Sequence, residues 1–119
     1  EETIQMLMKI PDLKTCFDLN HFLPVKGVKP DNVAHIYQIK EKAGDRLISL
    51  HISDYDFVDE RHLFPFDGEN DWKGIVNALK DTGYQGYFNY EIGSYNGDKA
   101  GKTLQDLRAN FEKLISLMD

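Results

Sequence analysis

The chain has 119 residues, 41% hydrophobic and 29% charged, a balance that fits one ordinary globular domain and excludes an intrinsically disordered chain. Its formal net charge of -6 disfavours a broad nucleic-acid-binding surface, which needs a basic patch to neutralise phosphates. The single cysteine, Cys16, cannot form an intramolecular disulfide, and no apolar run approaches the roughly 20 residues of a membrane-spanning helix, so a cytoplasmic protein is expected.

Residues 1–10 follow helical spacing, with Ile4, Leu7 and Met8 on one face and no capping residue ahead of them. A pattern that opens inside a helix predicts that the chain is a portion of a longer domain. Pro11 and Asp12 end this helix, and residues 14–21 (KTCFDLNH) alternate as a strand. Phe17 and Leu19 fall on one face of it, and Cys16, Asp18 and Asn20 on the other. A loop with Pro24, Gly27 and Pro30 leads to Asp31, an N-cap for a helix that carries Val33, Ile36 and Tyr37 and ends at Gly44.

Residues 47–53 (LISLHIS) form the second predicted strand, with Ile48, Leu50 and Ile52 opposite Leu47, Ser49 and His51. A long acidic and aromatic loop reaches Asp71, which caps a helix bearing Trp72, Ile75, Val76 and Leu79 and stopping at Gly83. The third strand, residues 87–92 (YFNYEI), sets Phe88, Tyr90 and Ile92 against Tyr87, Asn89 and Glu91. Thr103 then caps a final helix whose stripe is Leu104, Leu107, Phe111, Leu114, Ile115 and Met118.

Alternating strands and helices predict right-handed βαβ units and a parallel sheet. Each strand has one greasy face and one small or polar face, as the inner wall near a barrel mouth has, whereas an open doubly wound sheet is apolar on both faces. The expected fold is α/β, a partial TIM (β/α)8 barrel of three parallel strands alternating with four helices, since a complete barrel needs about 250 residues. The outer edges of the first and third strands are left unpaired, and such edges predict self-association.

Asp18, His51 and Glu91 stand on the polar face at or near the ends of three successive strands, and parallel neighbours lie roughly 4.8 Å apart. A lone Asp, His or Glu at such a place is ordinarily a loop cap or a solvated group, but three at equivalent positions predict one shared site. Their oxygen and imidazole donors suit a divalent metal ion (manganese, zinc, cobalt or magnesium), which also offsets the repulsion between two carboxylates. His21 lies three residues beyond Asp18, where it can touch a substrate, bind a second ion or serve the surface.

Arg61 can read a substrate hydroxyl or phosphate through paired hydrogen bonds, or stay solvated in its loop. His62 can join the site or remain exposed. Phe64, Phe66 and Trp72 either wall a pocket or complete a core, His35 fits a helix surface, and Cys16 fits an inward-facing packing position.

Four segments, CFDLNHF (16–22), SLHISD (49–54), RHLFPFDGENDW (61–72) and GYFNYEIG (86–93), occur in an order and context that resembles the xylose-isomerase-like barrel superfamily. The resemblance is to its sugar phosphate isomerase/epimerase branch and covers nearly the whole chain. It implies that residues 1–119 are the C-terminal portion of the barrel domain, with the N-terminal portion absent. It implies Asp18, His51 and Glu91 as metal ligands, Glu91 as the group that takes and returns a substrate proton, and His21 and Arg61 as contacts to substrate oxygens.

The implied substrate of the full-length parent is a sugar or sugar phosphate, deprotonated beside a carbonyl to an enediolate. The same pattern calls for a further glutamate from an earlier strand, which no residue here supplies, so this chain alone is expected to be inactive. A second reading is an apurinic endonuclease-like, metal-dependent phosphodiesterase, whose Asp-x-His loop pair is echoed by Glu60, Arg61 and His62. A third is a non-catalytic barrel relative.

Overall fold

The structure, a computed structural model, describes residues 2–21, 29–58, 61–93 and 103–119. Its elements follow the order α1 (Glu2–Lys9), β1 (Thr15–Asp18), α2 (Asn32–Ala43), β2 (Leu47–Ile52), α3 (Trp72–Asp81), β3 (Tyr87–Tyr90) and α4 (Leu104–Ser116), with a single 3-10 turn at Gly44–Arg46 ahead of β2. The strands pair in parallel in the order β1-β2-β3, so β1 and β3 each keep one unpaired edge among the described residues. Three parallel strands and four helices are the α/β, partial-barrel arrangement that the alternation of faces predicts.

The core lies between the sheet and the helices. Phe17, Leu19, Leu50 and Ile52 meet Ile36 and Ile39 of α2 and Trp72, Ile75, Val76 and Leu79 of α3, all of them buried. The helix starts follow their sequence signals: the carboxylates of Asp31 and Asp71 accept from the backbone N–H groups of Ala34 and Gly74, both at 2.9 Å. Thr103 and Asp106 cap α4 reciprocally. Arg46 closes the end of α1, its guanidinium donating to the carbonyls of Leu7 and Ile10.

Three expectations give way. Tyr37 is exposed and donates its hydroxyl to Asp81, while Ile39, two residues on, fills the core position. Leu104, Phe111 and Ile115 remain exposed, because α4 presses inward chiefly through Leu114 and Asn110. Asn20, expected on the polar face with Asp18, is 1% exposed. The Asp18 carboxylate captures the Asn20 N–H at 2.8 Å, a local turn that ends the strand and its alternation three residues early.

The register of β1 on β2 contains one extra residue. Thr15 pairs with Leu47 but Cys16 pairs with Ser49, leaving Ile48 unopposed and 42% exposed. From there Asp18 comes level with His51. Without the bulge Asp18 would face Leu50, on the opposite side of the sheet from His51, because one residue of slip exchanges the two faces of a strand.

Candidate metal centre

The bulge and the parallel register deliver Asp18 and His51 side by side, and Glu91, just past β3, continues the sheet by donating its N–H to the Ile52 carbonyl at 2.9 Å. Glu91 therefore stands one pleat beyond Asn89, the residue paired with His51. One layer below, the Asn89 amide donates to the Ser49 hydroxyl at 2.7 Å and fixes the same polar wall.

Asp18 is the best-satisfied member. Its Oδ1 accepts from the backbone N–H groups of Asn20 and His21 at 2.8 and 2.9 Å, and its Oδ2 meets Nδ1 of His21 at 2.7 Å and Nδ1 of His51 at 3.1 Å. A carboxylate only accepts, so each imidazole in these contacts carries its proton on Nδ1. Partial burial pushes the Asp18 pKa up, but the hydrogen bonds from the His21 ring and from the His21 and Asn20 backbones outweigh it and bring the group down to about 2.

Nδ1 of His51 also lies 3.2 Å from Glu91 Oε2. One N–H cannot be aligned with both carboxylates, and Oε2 is left buried without a hydrogen-bond donor among the described residues. A carboxylate oxygen in that condition lacks the partner that buried polar groups ordinarily have. The donor set also fits a cation: Asp18, His21 and Glu91 each offer a ligand atom within 4.8 Å of one another, and His51 reaches both carboxylates. The predicted Asp18, His51 and Glu91 are thus together, with His21 among them.

Other predicted residues separate here. Arg61 is exposed, its guanidinium 3.7 Å from the Asp56 carboxylate rather than at the cluster. Trp72 and Phe64 are core residues. His35 packs edge-on against Phe17 on the far side of the sheet, and Cys16 is exposed rather than a packing residue. Glu60 lies outside the described residues, so its pairing with His62 has no structural account.

His62, by contrast, is in the centre. Its φ of 45° turns the ring inward, Nδ1 reaches the Glu91 carbonyl at 3.1 Å and Oε2 at 3.8 Å, and its ring centre is 4.7 Å from that of His21. The Gly93 N–H returns to the His62 carbonyl at 3.3 Å. The sequence offered only a histidine at the right place in a loop.

Asp54, to which the sequence pattern assigns no role, is fully buried and its side chain accepts five hydrogen bonds. Tyr55 N–H (2.8 Å) and Asn70 N–H (3.0 Å) meet Oδ1; Phe66 N–H (2.9 Å), Gly68 N–H (3.1 Å) and the Trp72 indole N–H (2.7 Å) meet Oδ2. The spacing of Asp54 from Trp72 is the one sequence signal, and it carries no mark of their contact.

Residues 1–115 match the family described as Xylose isomerase-like TIM barrel. An uncharacterized protein, y4fM, of Sinorhizobium fredii is 36% identical over 76 residues, 64% of this chain and 22% of its own length. Fructoselysine 3-epimerase of Escherichia coli O157:H7 is 35% identical over 52 residues, 44% of this chain and 19% of its own length. In the crystal structure of a D-tagatose 3-epimerase-like protein, a region covering 91% of this chain and 35% of that one superposes with a TM-score of 0.61 at 21% identity. The chain thus spans about a fifth of the curated relatives' length. It belongs to the xylose isomerase-like TIM barrel family.

Proposed function

We propose that this chain is the C-terminal portion of a metal-dependent sugar or sugar phosphate isomerase/epimerase, with the rest of the barrel supplied by sequence outside it. The observation that carries the reading is the buried Glu91 Oε2, without a hydrogen-bond donor among the described residues, beside Asp18 and His51. The 35% identity to a fructoselysine 3-epimerase supports the choice of reaction.

Asp18, His51 and Glu91 would hold the ion. A bound divalent cation supplies positive charge that offsets the negative charge developing on substrate oxygens as the carbon beside the carbonyl loses its proton. Glu91 takes and returns that proton. Its attachment to β2 through the Ile52 carbonyl and the His62 contact to its own carbonyl fix its backbone, so the carboxylate is presented from a rigid base. His21, anchored to Asp18, and Arg61, at the loop surface, contact substrate oxygens. A proton acceptor on the opposite substrate face would come from an earlier strand, and this chain alone would be inactive.

Titrating the chain with cobalt(II), followed by calorimetry and by the metal's visible spectrum, tests the site. One ion per chain is expected, with affinity reduced by at least about 100-fold in Asp18→Asn, since loss of a ligand exceeds the 10–100-fold effect of losing a group behind one. Equal binding by both proteins would remove the proposed centre.

His62 beside Glu91 is the observation that favours the phosphodiesterase alternative. Cleavage of abasic-site DNA against turnover of ketoses by the full-length protein separates the two.

A groove of about 540 Å³ runs along the free edge of β1 between α1 and α2, with Ile4, Leu7, Phe17 and Ile39 among its lining residues and Asp18 and His21 at one end. With β3 open as well, the isolated chain would self-associate through these edges. Sedimentation velocity is expected to give species larger than a 13.7 kDa monomer, increasing with concentration. A dilute and concentrated sample both sedimenting as monomer would contradict this.

A further inference from the structure

We infer that Asp54 is a positioning residue for Glu91, acting through the loop that carries His62. The inference rests on the reading of Asp18, His51 and Glu91 as a metal centre, and names the device that sets its geometry.

Asp54 follows β2 by two residues. Its side chain is completely buried, and no cation is paired with it among the described residues. Its partners are five N–H groups gathered from residues 55–72, so the carboxylate is the hub about which the loop closes. Multiple donors to one ionised oxygen pair make short, directional contacts that a neutral group does not reproduce.

Its backbone completes the grip. Asp54 N–H donates to the Leu63 carbonyl at 2.7 Å, and Leu63 N–H returns to the Asp54 carbonyl at 3.0 Å. That two-way bridge fixes the residue next to His62. Within the same loop Phe57, His62 and Phe66 have φ of 60°, 45° and 79°, a region that residues with a Cβ enter only when their surroundings hold them there.

The relay therefore has identifiable links. The Asp54 carboxylate closes the loop, the bridge to Leu63 places His62, and the His62 Nδ1–H donates to the Glu91 carbonyl at 3.1 Å. The group presented at the end is the Glu91 carboxylate, whose Oε2 is 3.8 Å from the same nitrogen. Neither Asp54 nor its donors belong to the proposed ligand set.

Asp54→Asn keeps the shape and one acceptor but turns an NH2 toward donors. The first readout is the nitrogen-15 spectrum of the His62 ring in metal-free protein. The wild type is expected to hold the proton on Nδ1. In D54N the ring shifts toward the solvent mixture of tautomers while the His51 signals stay put. The second is cobalt(II) affinity, expected to fall about 10–100-fold in D54N and in His62→Ala, with the double variant no weaker than the worse single one.

An unchanged His62 signal in D54N, or losses that multiply in the double variant, overturns the inference. Absence of cobalt binding by the wild type would instead sink the metal reading and leave the His62 signal as the deciding measurement. Should D54N not fold, Trp72→Phe removes a single donor and is expected to move the His62 signal in the same direction by a smaller amount; no movement there counts against the relay.

Discussion

In the full-length protein, Glu91→Gln is expected to lower ketose turnover by roughly 10²–10⁴-fold, the range over which a positioned proton-transfer group accelerates reaction. The substitution keeps the side chain's length, shape and one oxygen that can face the ion but removes the basic oxygen, so at saturating metal the loss falls on the chemical step. Exchange of the substrate's carbon-bound hydrogen with deuterated solvent should fall in step with turnover, because both need the same proton removed. Retention of exchange at the wild-type rate would assign the proton to another group and leave Glu91 as a ligand only. The hydrogen bonding favours this residue: of the two carboxylates, Asp18 is tied by four hydrogen bonds, while Glu91 Oε2 has no donor among the described residues. An oxygen already saturated with donors makes a poor base.

Gly68→Ala is expected to destabilise the chain by about 3 kcal/mol, at the upper end of what overpacking a buried site costs. A Cβ there would lie 2.6 Å from Asp54 Oδ1, 2.7 Å from Asp54 Cγ and 2.7 Å from the Tyr55 carbonyl oxygen. Neither neighbour can retreat cheaply. Oδ1 is held by the N–H groups of Tyr55 and Asn70, and the Tyr55 carbonyl accepts the Glu69 N–H at 2.9 Å. The urea midpoint of G68A, measured at one protein concentration beside the wild type, reads the effect. An unchanged midpoint would mean that the loop is free to open around the methyl group, and the account of Asp54 as its hub would fail with it.

What the sequence disclosed, and what it withheld, follow from the range of the interactions. Asp31, Asp71 and Thr103 cap helices through contacts three residues away, so their roles are written locally. Asp18, His51 and Glu91 could be placed on one face because strand alternation is also local, although their meeting depends on Ile48 being skipped in the pairing. LISLHIS alternates from Ile48 onward, and the apolar pair Leu47 and Ile48 at its start does not by itself specify a bulge. His62 and Asp54 depend on contacts 29 and up to 18 residues away, and their neighbours in sequence do not distinguish them from ordinary loop residues. The exposed side of α4 has the opposite cause: its apolar periodicity is real, but periodicity states which residues share a face and not how much of that face is covered.

Asn110 interrupts the hydrophobic stripe of the last helix and is nevertheless buried there. Its amide accepts the Tyr90 hydroxyl at 2.8 Å and donates to the Pro65 carbonyl at 2.9 Å, while burial raises the Tyr90 pKa and keeps that hydroxyl a donor. One side chain thereby rivets the final helix to both the strand that leads to Glu91 and the loop that bears His62. Trimming the chain back past Asn110 would loosen the proposed site while leaving every proposed ligand in place. The final helix is thus part of the proposed site's scaffolding, although none of its residues belongs to the proposed ligand set.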